Sequence, residues 1–124
     1  MDKEYVMQIA QTIRKQLVTL TAANVLMSWG INRFIATVHR NMPALKFEVN
    51  GRLHVGFVII LLNGSDYYEV YLQNDKGIEC INEEVCFDEL GDVIDRAIES
   101  GTDKEEYEKF CQQQLVELFG GKFI

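Results

Sequence analysis

Phe57-Val58-Ile59-Ile60-Leu61-Leu62 is an uninterrupted apolar run, entered at Gly56 and closed by Asn63-Gly64-Ser65-Asp66. A short run of branched and aromatic residues stopped by turn chemistry reads as a strand buried on both faces. It is far too short to cross a bilayer. Such a strand has to sit inside a sheet, with pairing strands on its edges and cover above and below. The rest of the chain has to supply both.

The neighbouring segments supply the strands. Asn32 to His39 is rich in β-formers, and Arg40-Asn41-Met42-Pro43 is expected to turn the chain. Leu45, Phe47 and Val49 then alternate with Lys46 and Glu48, the period of a half-buried strand. Asn50-Gly51 follows as a hairpin signal. A two-residue loop there sets His54 opposite Phe47 and Arg52 opposite Val49. Adding Arg52 to the loop sets Leu53, Val55 and Phe57 opposite Val49, Phe47 and Leu45. The apolar pattern favours the longer loop and turn chemistry the shorter one. After the central run, Tyr68, Val70 and Leu72 alternate with Tyr67, Glu69, Tyr71 and Gln73. Asn74-Asp75-Lys76-Gly77 turns the chain again, into a short strand at Ile78 to Ile81.

Helices are expected at both ends. Val6, Ile9, Ala10, Ile13 and Leu17 fall at helical spacing within Lys3 to Leu17. Val18 to Ile31 is ambiguous, with Thr19, Thr21 and Asn24 as candidate caps and Gly30 as a break. Leu90, Val93, Ile94, Ala97 and Ile98 form one apolar stripe that Gly101 stops. Thr102 and Glu105 have capping-box spacing and open a last helix with the stripe Tyr107, Phe110, Cys111, Leu115, Leu118 and Phe119. The expected fold is α+β: an antiparallel four- to five-stranded meander sheet with an N-terminal helix and two C-terminal helices, in a single globular domain over residues 1–124. If every helix lies on one side, the other sheet face exposes an apolar patch. Val18–Ile31 or a second copy of the chain would then have to close it.

Charge is divided along the sequence. Up to Leu62 there are seven Lys/Arg and three Asp/Glu, net +4; from Asn63 there are five and sixteen, net −11, giving the total of −7. This acidity argues against nucleic-acid binding by the whole surface but leaves room for a local basic patch. The start, Met1-Asp2-Lys3-Glu4-Tyr5, has no apolar signal core, and the three cysteines are unpaired in spacing. A reducing, cytoplasmic setting without a membrane anchor is therefore expected.

No spacing points to a reaction centre. Cys111 lies on an apolar stripe, Cys80 and Cys86 match no zinc or redox spacing, and His39 and His54 meet a cysteine only if the fold brings them together. Glycine-rich phosphate loops are absent. No catalytic residue, metal or cofactor is assigned. Asp88, Asp92, Asp95 and Glu99 fall at i, i+4, i+7 and i+11, one narrow helical stripe able to dock on a basic protein. Arg96 is placed to pair with Asp92. For nucleic acid, the candidate cations are Arg33, Arg40, Lys46 and Arg52, and the candidate stacking rings are Tyr67, Tyr71 and Trp29.

Met27-Ser28-Trp29-Gly30, Met42-Pro43-Ala44-Leu45-Lys46-Phe47-Glu48-Val49-Asn50-Gly51 and Asn63-Gly64-Ser65-Asp66-Tyr67-Tyr68-Glu69-Val70-Tyr71 resemble a pattern in small uncharacterised bacterial proteins of phages and mobile elements. That resemblance, over Ser28 to Glu99, implies a bacterial cytoplasmic accessory protein and carries no catalytic motif. In outline the chain is also similar to type III secretion chaperones, which form dimers, although those insert a helix between strands. The expected function is non-enzymatic protein binding through the acidic helical surface. The alternatives are nucleic-acid binding by the basic strand region and a secretion-chaperone-like dimer.

Overall fold

In a computed structural model of the chain, residues 2–100 are described. Helix α1 spans Lys3–Leu20 and begins at Asp2, whose carboxylate accepts from the Glu4 N–H at 3.0 Å. It buries Val6, Ala10, Ile13 and Leu17, one face at helical spacing. The ambiguous stretch after it resolves into the end of α1 and a short helix α2, Ala23–Ser28.

Five strands follow: β1 Asn32–His39, β2 Met42–Asn50, β3 Val55–Leu62, β4 Tyr68–Asn74 and β5 Gly77–Val85. They form one antiparallel meander in the order β1-β2-β3-β4-β5. Helix α3, Leu90–Asp95, then runs into a π-helical turn, Arg96–Ser100. The expected second C-terminal helix lies outside the described residues. Among the described residues, no helix is long and apolar enough to cross a membrane.

The turns differ from the expected ones in three places. Between β1 and β2 only Arg40 and Asn41 turn, both at positive φ (52° and 62°), the signature of a tight two-residue hairpin; Met42 and Pro43 already belong to β2. Strand β5 runs on to Val85, past the expected end at Ile81. The β2–β3 connection follows neither expected register. Asn50 pairs with Val55 and Phe47 with Val58, so residues 51–54 form the loop. Local turn preference is overridden by contacts from far along the sequence. The Leu53 N–H donates to the Ile98 carbonyl at 2.7 Å, and the Arg52 N–H to Glu99 Oε2 at 2.6 Å.

The main core lies between the helices and one sheet face. Ala10, Ile13 and Leu17 of α1 meet Leu45, Phe47 and Val49 of β2, Val58 and Ile60 of β3, and Leu90 and Ile94 of α3. Trp29 is fully buried there, and Val25, Leu26 and Ile31 pack beside it. The 18–31 segment is therefore part of the helix side and does not cover the other face.

The centre of that outer face is closed from within the sheet. Ala44, Ile59, Leu61 and Tyr71 form a second buried cluster, with Met42 and Cys80 against it. Tyr71 starts on β4, paired with Cys80 of β5 and Ile59 of β3, and its ring reaches the His39 ring of β1 at 4.6 Å between centroids. The small Ala44 side chain leaves room for this crossing.

Candidate protein-binding cleft

The four carboxylates expected on one helical stripe have separate fates. Asp88 is exposed and precedes α3. Asp92 pairs with Arg96 at 2.7 Å, the expected i,i+4 contact. Asp95 accepts from the Trp29 indole N–H at 2.9 Å. Glu99 is only 7% exposed, and its carboxylate is turned into the protein against the β2–β3 loop. Sequence spacing missed this because residues 96–100 take the wider i→i+5 turn, which rotates Glu99 off an α-helical stripe. Glu99 is corrected from a partner contact to a buried clamp: its carbonyl also accepts from Arg52 Nε at 2.9 Å.

The other three acids share a cleft. A cavity of about 230 Å³ lies between the α1–α2 connection and α3. Leu20, Ala22 and Val25 form its apolar wall, and Asp88, Asp92 and Asp95 its acidic one. Gly91 makes the close approach possible, since a Cβ there would stand 2.4 Å from Thr21 Oγ1. An acidic wall facing an apolar one suits a lysine or arginine side chain, with the stem on the hydrocarbon and the head on the carboxylates.

The basic candidates are also split. Arg33, Arg40 and Lys46 belong to the outer sheet face, where Arg33 pairs with Glu48 at 2.5 Å and Lys46 lies 4.4 Å above the Phe57 ring. Arg40 donates to the Tyr71 hydroxyl at 3.0 Å. Arg52 is separate from them, in the loop held by the end of α3. Of the candidate rings, Tyr67 is exposed beside the β3–β4 turn, while Tyr71 is 4% exposed and Trp29 is fully buried. Neither buried ring presents a face on which a base could stack.

Tyr71 anchors a polar network. Its hydroxyl donates to Glu69 Oε1 at 2.6 Å, and Glu69 Oε2 accepts from Asn63 Nδ2 at 3.1 Å. Burial and the adjacent Glu69 carboxylate push the phenol up to about 12. His39 beside it is lowered, first by burial and then by Arg40, with Glu69 opposing.

Cys86, Asp88 and Glu89 bring one donor atom each within 4.8 Å of one another at the start of α3. The Cys86 thiol is pushed up by its hydrogen bond to Glu89, by burial and by the two carboxylates, which disfavours the thiolate that metal binding and nucleophilic attack both need. Cys80 packs against the outer cluster, and His54 lies in the β2–β3 loop within 3.3 Å of the Phe57 carbonyl. Cys111 lies outside the described residues.

No family model matches the chain, and neither a curated protein nor a solved structure matches it.

Proposed function

We propose that the chain is a non-enzymatic protein-binding module whose partner presents a basic segment to the cleft between the α1–α2 connection and α3. The observation that carries this reading is the pairing of Asp88, Asp92 and Asp95 with the apolar wall of Leu20, Ala22 and Val25 around one opening. Acidic sequence flanks it: residues 77–95 hold Glu79, Glu83, Glu84, Asp88, Glu89, Asp92 and Asp95 and no Lys or Arg. Their field draws in and orients a cationic partner. In a bacterial cytoplasm, on a mobile element, such a surface would occupy a DNA-binding protein by competing with phosphates for its cations.

Titration with a lysine- and arginine-rich peptide, followed by residue-resolved NMR, tests this reading. Binding should shift Val25, Asp88 and Gly91, weaken as salt rises, and be lost in Asp88→Lys. Shifts confined to the outer sheet face would overturn it.

A second reading, nucleic-acid binding, is supported by the shared face of Arg33, Arg40 and Lys46. It requires salt-sensitive binding of single-stranded DNA or RNA that falls when those three are replaced and survives replacement of Arg52.

A further inference from the structure

In a meander the order along the sequence is the order across the sheet, so the charge division of the sequence becomes a polarity of the sheet. Residues 32–50, which make β1 and β2, carry Arg33, Arg40 and Lys46 against Glu48, net +2 (3 − 1). Strand β3 carries no charge. Residues 68–85, which make β4 and β5, carry Glu69, Asp75, Glu79, Glu83 and Glu84 against Lys76, net −4 (1 − 5), or −3 (1 − 4) without Glu79, which stands opposite Leu72 on the helix side.

The outer face also keeps apolar surface that its central cluster does not close. Val55 is 65% exposed, Ile78 46% and Ile35 40%. Val55 and Phe57 line a cavity of about 560 Å³ with Lys46 and Gln73. Among the described residues, the helices pack on the opposite face, and residues 18–31 belong to that side too.

We infer that the outer sheet face is an interface between two copies of this chain, related by a two-fold axis running along β3 parallel to the strands. Only that axis lays the basic β1–β2 half of each copy over the acidic β4–β5 half of the other. An axis across the strands would set basic on basic and acidic on acidic. Pairing the β5 edges of two copies would likewise set the Glu79, Glu83 and Glu84 edge against the same acidic edge, which like-charge repulsion disfavours. In the face-to-face arrangement positions along the strands are kept, and the uncharged β3 strands lie over each other at the axis. Glu83 and Glu84 of the second copy, level with Glu69, Leu61, Ala44 and Thr37, therefore lie over β1 between Lys46 and Arg40.

The size of the face sets the strength. Five strands about 4.8 Å apart and about eight residues long give roughly 500 Å² per copy. A pair would bury roughly 1,000 Å², the low end for specific association, so the dimer is weak and depends on its charges. It leaves the α3 cleft of each copy open on the far side of its sheet. This inference stands independently of what that cleft binds.

Sedimentation of the full chain tests it with two single variants, Lys46→Glu and Glu84→Lys, each checked for native far-UV circular dichroism. Wild type should dimerise at about 50 mM salt and weaken about ten-fold or more at about 500 mM. Each variant alone should be monomeric, because each sets like charges together twice. An equimolar mixture of the two should dimerise again, because exchanging the charges restores both contacts. A wild type that is still monomeric at about 1 mM protein and low salt, a concentration at which even a weak dimer forms, would overturn the inference. So would variants that self-associate as wild type does, or a mixture of folded variants that stays monomeric.

Discussion

Trp29 and Asp95, sixty-six residues apart, are joined by a hydrogen bond of 2.9 Å from the indole N–H to Oδ1. The indole is fully buried, so its N–H has no water to fall back on. Asp95→Ala should therefore cost about 1–3 kcal/mol, the usual penalty for leaving a buried donor unpaired, and Asp95→Asn should recover part of it through its amide oxygen. Urea unfolding of the two variants measures the difference. Because Asp95 also lines the acidic cleft, Asp88 is the better position for testing binding without loss of stability.

The seat of the β2–β3 loop on the end of α3 sets a second expectation. A Cβ at Gly51 would lie 2.4 Å from the Ile98 carbonyl oxygen, a backbone atom that cannot swing aside. Gly51→Ala should destabilise by about 1–3 kcal/mol through overpacking. Glu99→Ala should cost a similar amount, about 1–3 kcal/mol, by orphaning the Arg52 N–H. Since both changes break one contact, the double variant should cost less than the sum of the two, which a double-mutant cycle in urea would show.

Tyr71 gives an alkaline signature. Its folded-state ionisation is raised to about 12 from 10.0. Between those values the unfolded chain gives up this proton while the folded chain holds it. Stability should therefore fall as pH rises from 10 towards 12. In an ultraviolet titration of tyrosinate, the late-ionising component should disappear in Tyr71→Phe.

His39 works at the other end of the scale. Its ionisation lies below the ordinary 6.5 in the folded chain, so just below that pH the unfolded chain binds more protons. Stability should rise with pH through this window and level off above it. His39→Gln should flatten that slope, as thermal midpoints at several pH values would reveal.

Gln73 is a place where a substitution should help. Its Oε1 is buried without a hydrogen bond, and its neighbours across the sheet are Phe57 and Ile78. Gln73→Met keeps the length and removes the unpaired oxygen. It should raise stability by about 1 kcal/mol, measured as an increased urea midpoint with unchanged slope.

The strands and their order were legible in the sequence because they rest on local chemistry. The apolar run from Phe57 to Leu62, the alternation of Leu45, Phe47 and Val49, and the Asn63 and Asn74 turns are periodic signals that a few residues carry by themselves. Even the polarity across the sheet is sequence charge read through a meander. Long-range contacts decided the rest. The seating of residues 51–54 on Ile98 and Glu99 fixed a register that turn preference alone left open. A π-helical turn buried Glu99 although its spacing placed it on an acidic stripe. The length of Tyr71 and the smallness of Ala44 closed the middle of a face that strand patterning left bare. These outcomes depend on which distant surfaces meet, and a one-dimensional pattern does not contain that information.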